Sequence, residues 1–256
     1  MMSWLAFVYF CRPRQTTKTS RVKVKKLQII VLSALLLGLG SCKQGHTDVK
    51  EQEKSIAQEE SRELTETETI AYKNGFEHWA DVSQIDFTFN VDRNGQKVSE
   101  RSWSWKPKQN EIELRTATDT VNYNRSTLDS LSMRVDRGFI NDKYWLLAPF
   151  QLVWDEGTTI TVQDTATAPI SQKLLKKLTL VYSNEGGYTP GDAYDFYYGS
   201  DFIIQEWAFR QANAPQASLI NTFEDYEDFN GIKIAKQHKN KDASFNLYFS
   251  NIKVTK

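Results

Sequence analysis

Cysteine is nearly absent from this chain of 256 residues: Cys11 and Cys42 are the two it has, and none occurs from Lys43 onwards. The long C-terminal part can therefore form neither an internal disulfide nor a thiolate metal site, and its stability must come from packing. Histidine is almost as scarce. His46, His78 and His238 stand far apart, with no H-x-x-H or H-E-x-x-H spacing to hold a catalytic metal. His78 reads as a packed or exposed helix residue rather than a ligand. There is no G-x-S-x-G elbow for a serine nucleophile, no P-loop, and no G-x-G-x-x-G after a strand. The acidic stretch Glu224-Asp-Tyr-Glu-Asp228, aligned as a calcium loop on Gly231, would put Tyr226 at the first ligand position and Gln237 at the twelfth, so it reads as a solvated hairpin rim. These absences predict no metal, no cofactor and no enzyme. A hydrolase using two carboxylates ranks last, because its spacing is spatial and leaves no linear signature.

Long apolar runs are missing too. The longest covers 14 residues, 27–40, short of the roughly 17–25 that a membrane-spanning helix needs. The formal net charge of zero hides an asymmetry. Seven basic and no acidic side chains fall in the first 42 residues, leaving 25 basic against 32 acidic beyond them, a net of −7. An acidic domain lacks the clustered Lys and Arg that drive phosphate-backbone binding, so nucleic acid is not an expected partner.

What is present begins with order at the N-terminus. Arg21-Val-Lys-Val-Lys-Lys26 is a basic segment, the run 27–40 has the length of a signal-peptide core, and two small residues and a cysteine follow. Leu39-Gly40-Ser41-Cys42 resembles the lipobox of bacterial lipoproteins. That resemblance implies cleavage before Cys42, lipid attachment at its thiol through diacylglyceryl and palmitate-type chains, and effectively permanent anchoring, since each buried methylene adds about 0.8 kcal/mol. Lys43-Gln44 lack the aspartate that the same resemblance associates with inner-membrane retention, which implies the outer membrane with the domain facing the periplasm. The apolar segment Trp4–Phe10 precedes the basic one and breaks the usual order. We expect residues 1–20 to lie ahead of a translation start near Val22 or Val24. Residues 1–41 are thus a signal region, 42–65 a lipidated cysteine with a Lys/Gln/Glu/Ser-rich tether too polar to fold alone, and 66–256 a single domain.

Thr65-Glu-Thr-Glu68 fits a capping box, and Tyr72, Phe76, Trp79 and Ala80 then share one helical face. Period two follows. Ile85, Phe87, Phe89 and Val91 alternate with polar residues, Asn94-Gly95 marks a hairpin, Trp103 and Trp105 alternate with serines, and Pro107 ends that strand. Ile112 and Leu114 continue the alternation. The segment 125–157 has no clear period; it suggests a short helix over Leu128–Met133 and an apolar stretch Tyr144–Phe150 broken by proline. Alternation returns at Leu178–Tyr182 before a Glu185-Gly-Gly187 turn. Later come hairpins through Gly199-Ser-Asp201 and Asn230-Gly231, and a last strand through Phe245, Leu247 and Phe249. About nine strands with short turns predict a mainly β (α+β) fold: a curved antiparallel sheet or unclosed half-barrel with an N-terminal amphipathic helix packed across it.

This order of elements resembles the LolA/LolB-like outer-membrane lipoprotein carriers. The matching pieces are Tyr72–Ala80, Ile85-Asp-Phe-Thr-Phe89, Asn94-Gly95, Trp103-Ser-Trp-Lys-Pro107, the hairpin through Gly199-Ser-Asp201, and Phe229-Asn-Gly-Ile-Lys-Ile234. The resemblance implies non-covalent binding of an apolar ligand, an acyl chain or a lipidated protein, inside the half-barrel. Phe87, Phe89, Trp103, Trp105 and Trp207 are the candidate lining residues, with Phe209 on the same aromatic face, and most of these rings are expected to pack as core between helix and sheet, with some left to line a cavity. Leu146-Leu147 is the best candidate for the protruding apolar loop that the anchored member of the family carries. A monomer tethered to the membrane by its N-terminal lipid is expected. The rival reading is a scaffold or accessory lipoprotein without a pocket, whose outer face docks an envelope protein.

Overall fold

The structure, a computed structural model, describes residues 62–185 and 188–256. Cys42, the signal region and most of the tether lie outside the described residues.

The capping box forms as expected. The Thr65 hydroxyl accepts from the Glu68 amide, the Glu68 carboxylate accepts from the Thr65 amide, and helix α1 (Glu66–Lys73) follows. The helix does not run on to Ala80. Gly75 adopts φ +91°, and Phe76–Asp81 winds as a separate 3₁₀ turn. The break redistributes the predicted face: Ile70 and Ala71 are buried, whereas Tyr72 is 41% exposed.

Strands β1 (Gln84–Arg93), β2 (Gln96–Lys106), β3 (Glu111–Arg115) and β4 (Thr120–Asn124) form a meander. Helices α2 (Ser132–Leu146) and α3 (Ala148–Trp154) come next. A second meander runs through β5 (Thr158–Thr167), β6 (Leu174–Tyr182), β7 (Ala193–Tyr198), β8 (Ile204–Arg210) and β9 (Leu219–Thr222). The chain then returns through β10 (Glu224–Phe229), β11 (Ile232–Lys239) and β12 (Phe245–Thr255). The first sheet has the order β10-β11-β12-β1-β2-β3-β4 and the second β5-β6-β7-β8-β9, with every pairing antiparallel. At Phe223 the chain steps from one sheet to the other. Its amide donates to Gln205 O at 2.7 Å, and the Lys239 amide donates to Thr222 Oγ1 at 3.0 Å, sealing β9 against β11. Edge strands β4 and β5 stay unpaired on their outer sides, so the surface curves without closing. The fold is mostly β, an unclosed antiparallel half-barrel with few helices.

Three departures from the sequence reading have physical causes. The described residues hold twelve strands rather than about nine. Strands β4 and β5 are largely exposed edge strands whose alternation has little to bury, and residues 218–227 divide at Phe223 into β9 and β10. The unclear middle is a 15-residue helix that starts at Ser132, where the expected short helix ends. Leu146 and Leu147 are each 2% exposed at the α2–α3 corner, so they form no protruding loop.

The α1 corner is held by backbone approach. The Lys233 amide donates to Asn74 O at 3.0 Å, and a methyl group at Gly75 would stand 1.8 Å from Gly231 O. The His78 ring lies over Gly231 itself, which accounts for that histidine as packing. Gly75→Ala combines this clash with a left-handed backbone that L side chains resist. It should lower unfolding free energy by about 3 kcal/mol, read as a shift of the urea midpoint.

Candidate functional site

The concave face of the half-barrel is built from the inward positions of both sheets. Phe87, Phe89, Trp103 and Trp105 from β1 and β2 face it from one side, and Trp207 and Phe209 from β8 face it from the other. All six are under 10% exposed. The predicted lining residues are thus brought into one cluster, but they do not line open space. Helices α2 and α3 fill it. Phe139 stands edge-on to Trp103 and Trp105 at 5.5 and 5.3 Å, and Trp145 packs on Trp207 at 4.2 Å. Phe150 and Trp154 meet Phe76 and Trp79, the latter at 4.7 Å from Trp154. Fully burying each such side chain contributes roughly 1.5–3 kcal/mol, and edge-on pairs add about 0.5–1.5 kcal/mol.

Two depressions lie outside this interior. One of about 240 Å³ sits on the outer face of the first sheet, lined by Asp86, Thr88, Ser102, Ser104, Glu113 and Arg115 among others. The second, of about 200 Å³, is bounded by Trp79, Ala80, Val82, Pro107 and Lys108, and it abuts the aromatic cluster through Trp79.

The helical filling is fixed at its rim by charge. Asp142 on α2, wholly buried, accepts from Arg101 Nε and Nη2 at 2.7 Å each and from Trp103 Nε1 at 2.8 Å. Asp136, two turns earlier and equally buried, accepts from Arg125 Nε at 2.9 Å, Tyr123 OH at 3.1 Å and Tyr188 OH at 2.7 Å. Burial and this carboxylate push the Tyr188 phenol up to about 12. Towards the second sheet, the Tyr182 hydroxyl donates to Asp155 just beyond α3, and Tyr144 OH lies 3.3 Å from it. Burial raises the Asp155 carboxyl above the ordinary carboxylate range. Sequence reading missed this set entirely. Its one available signal was three aspartates and a tyrosine within an otherwise half-apolar stretch, 136–155.

No group of three or more His, Cys, Asp or Glu side chains that could hold a metal occurs among the described residues. No described helix is long and apolar enough to cross a membrane. The acidic rim on β10 is solvated and paired: Lys236 bridges Asp225 and Glu227, and Lys239 meets Glu224.

Among solved structures the chain is similar to a LolA superfamily protein, NE2245 from Nitrosomonas europaea. Sequence identity is 12%, the match covers 75% of this chain and 95% of that one, and the TM-score is 0.46. It is also similar to the Mycobacterium tuberculosis lipoprotein LppX, at 9% identity over 72% of this chain and 93% of that one, with a TM-score of 0.25. No protein-family model and no curated protein matches the sequence.

His238, at the seam behind Trp145, is buried at 0% exposure with Nδ1 3.2 Å from Thr222 O, and burial holds its protonation down to about 3. The unfolded chain takes up that proton near 6.5, so the folded state loses stability as pH falls through this window, with a limiting slope of about 1.4 kcal/mol per pH unit. His238→Met should flatten the stability curve between pH 6.5 and 5, measured by urea unfolding at each pH. Asp142→Asn leaves the Arg101 guanidinium partly buried without its counter-charge. It should cost about 3 kcal/mol and expose Trp103, visible as a red shift in tryptophan emission.

Proposed function

We propose that this protein binds an apolar ligand, an acyl chain or the lipid of a lipidated protein, non-covalently within the half-barrel and performs no covalent chemistry. One observation carries the reading. The concave aromatic face is covered by a helical hairpin, α2–α3, that is joined to both sheets by side-chain latches and not by strand pairing. Swinging that cover aside would break Asp136, Asp142 and Asp155 contacts at the rim while leaving both backbone ladders intact. The face thereby uncovered consists of Phe87, Phe89, Trp103, Trp105 and Trp207, an apolar surface suited to methylene chains. In the interior the rings of α2 and α3 occupy the place of the ligand.

The lipobox-like sequence ending at Cys42 supports a lipid-anchored protein. Lys43-Gln44 favour the outer membrane, with the domain on the periplasmic side and acting as a monomer. The filled interior is the observation that favours the rival, a scaffold lipoprotein without a pocket.

Native mass spectrometry of the purified protein, followed by organic extraction, separates the two. A co-purifying lipid, or an added mass after incubation with an acyl ligand, is the expected result. An unchanged apo mass across a range of acyl ligands would move the assignment to the scaffold.

A further inference from the structure

Two hydrogen-bond donors meet inside the cover with one distant acceptor between them. Lys143, in the last turn of α2, lies over two indole faces, with Nζ 5.3 Å from the Trp154 ring centre and 6.0 Å from that of Trp105. Its one hydrogen bond runs to Gln151 Oε1 on α3 at 3.4 Å, which is long for an ammonium donor. No described carboxylate forms an ion pair with it, in contrast to Arg101, Arg125 and Arg210. Gln151 is 1% exposed, and its Nε2, bonded to the same carbon as the oxygen that Lys143 approaches, has no partner at all. Protein interiors rarely leave a buried amide donor unmet.

The surroundings of the amine are accounted for. Asp155 and Asp136 attract it and Arg125 repels it, but the two carboxylates are already engaged by Tyr182 and by Arg125, Tyr123 and Tyr188. Burial pushes the ammonium down to about 8, against the pull of Asp155, so near neutral pH the group still carries its charge.

We propose that Lys143 Nζ and Gln151 Nε2 together receive the acidic headgroup, a carboxylate or phosphate, of an amphiphile whose chain takes the place of the aromatic filling. This rests on the apolar-ligand reading above and adds the ligand's charge to it. An ammonium with three donors and an amide with two match the several lone pairs of an oxyanion, and the bonds formed are charge-assisted. The indole faces of Trp105 and Trp154 beside the amine would cover the first methylenes of the chain. A ligand head without an acceptor would leave the amide nitrogen unserved, at the cost that burying an unpaired polar group carries, and a neutral hydroxyl could serve it but would give Lys143 no opposite charge. A second feature fits. The depression bounded by Trp79 and Pro107 abuts the same tryptophans, so the donor pair sits beside the existing break in the surface and not at the far end of the interior.

The test compares ligands that share a chain and differ in head. The purified protein is loaded at pH 7 with the neutral fluorescent probe N-phenylnaphthylamine, and palmitate, hexadecanol or inorganic phosphate is titrated in. Palmitate should displace the probe about tenfold more effectively than hexadecanol, the scale of one charge-assisted pair, and phosphate alone should leave it bound. In Lys143→Met the palmitate-to-hexadecanol ratio should fall to about one. Gln151→Leu should narrow it severalfold, which keeps the assignment testable if the lysine variant does not fold. Equal affinities for palmitate and hexadecanol in the unaltered protein would overturn the headgroup assignment and leave the apolar interior standing. Thermal stabilisation by inorganic phosphate equal to that by palmitate would also overturn it, pointing to a free-anion site. A protein that takes up neither probe nor acyl ligand would overturn both readings together.

Discussion

An antiparallel sheet that curves but does not close must cover its concave face with something else. In this chain the need is acute, because the inward positions carry large aromatics: Phe87, Phe89, Trp103, Trp105, Trp207 and Phe209. Left open, they would form an apolar patch far beyond what a soluble surface tolerates. Most of the remaining architecture follows from meeting that need. The connection between the two meanders is a helical hairpin rather than a turn because it has to reach across the face, and α1 with its 3₁₀ extension packs Phe76 and Trp79 onto the hairpin from behind. Contacts of this kind are non-directional; they supply attraction but do not say how the helix should be rotated.

Direction comes from the buried aspartates. Asp136 and Asp142 lie on the inward face of α2, where an apolar residue would have served for burial alone, and each is matched to an arginine and to aromatic N–H or O–H donors. A buried ion pair is weak evidence for net stability, since desolvation consumes much of the attraction. What it does is reject wrong registers: turning α2 by one residue would strand two carboxylates among rings. On the apolar-ligand reading, the same property would make the cover separable. Its strongest oriented contacts are few and at the rim, and each group regains water when the contact breaks, whereas the interior contacts ask only for another apolar surface.

This division explains what could be read from the sequence. Strands with one wet face announced themselves: the alternation at Ile85–Val91 and Trp103–Trp105 gave both the elements and their inward residues, and Asn94-Gly95 and Asn230-Gly231 gave their turns. The capping box at Thr65 was equally legible. Helix α2 was not, and the reason is specific. Its buried face reads Ser132, Asp136, Phe139, Asp142, Leu146, so a hydropathy pattern counts two of its most buried positions as solvent-facing. Gly75 was seen as a weakness in a helix when it is the point where the helix ends. The inward aromatics were found individually and most were expected to pack as core between helix and sheet, but α2, the helix that covers them, was not foreseen.

The distribution of unmet polar atoms completes the physical picture. The carboxylates of Asp136 and Asp142 are engaged several times over and that of Asp155 by Tyr182, whereas Gln151 Nε2, Trp207 Nε1 and His238 Nε2 are buried with no partner. A core selected for stability alone would put apolar groups at those positions or supply partners, because each buried polar group left unpaired costs about 1–3 kcal/mol. Those unmet groups offset part of what the aromatic packing at the centre contributes. That is the arrangement expected of an interior whose present filling competes with another occupant. On the apolar-ligand reading, the ladders would hold the shape while the contents change, and the unmet groups at the centre would reduce the work of exchanging them.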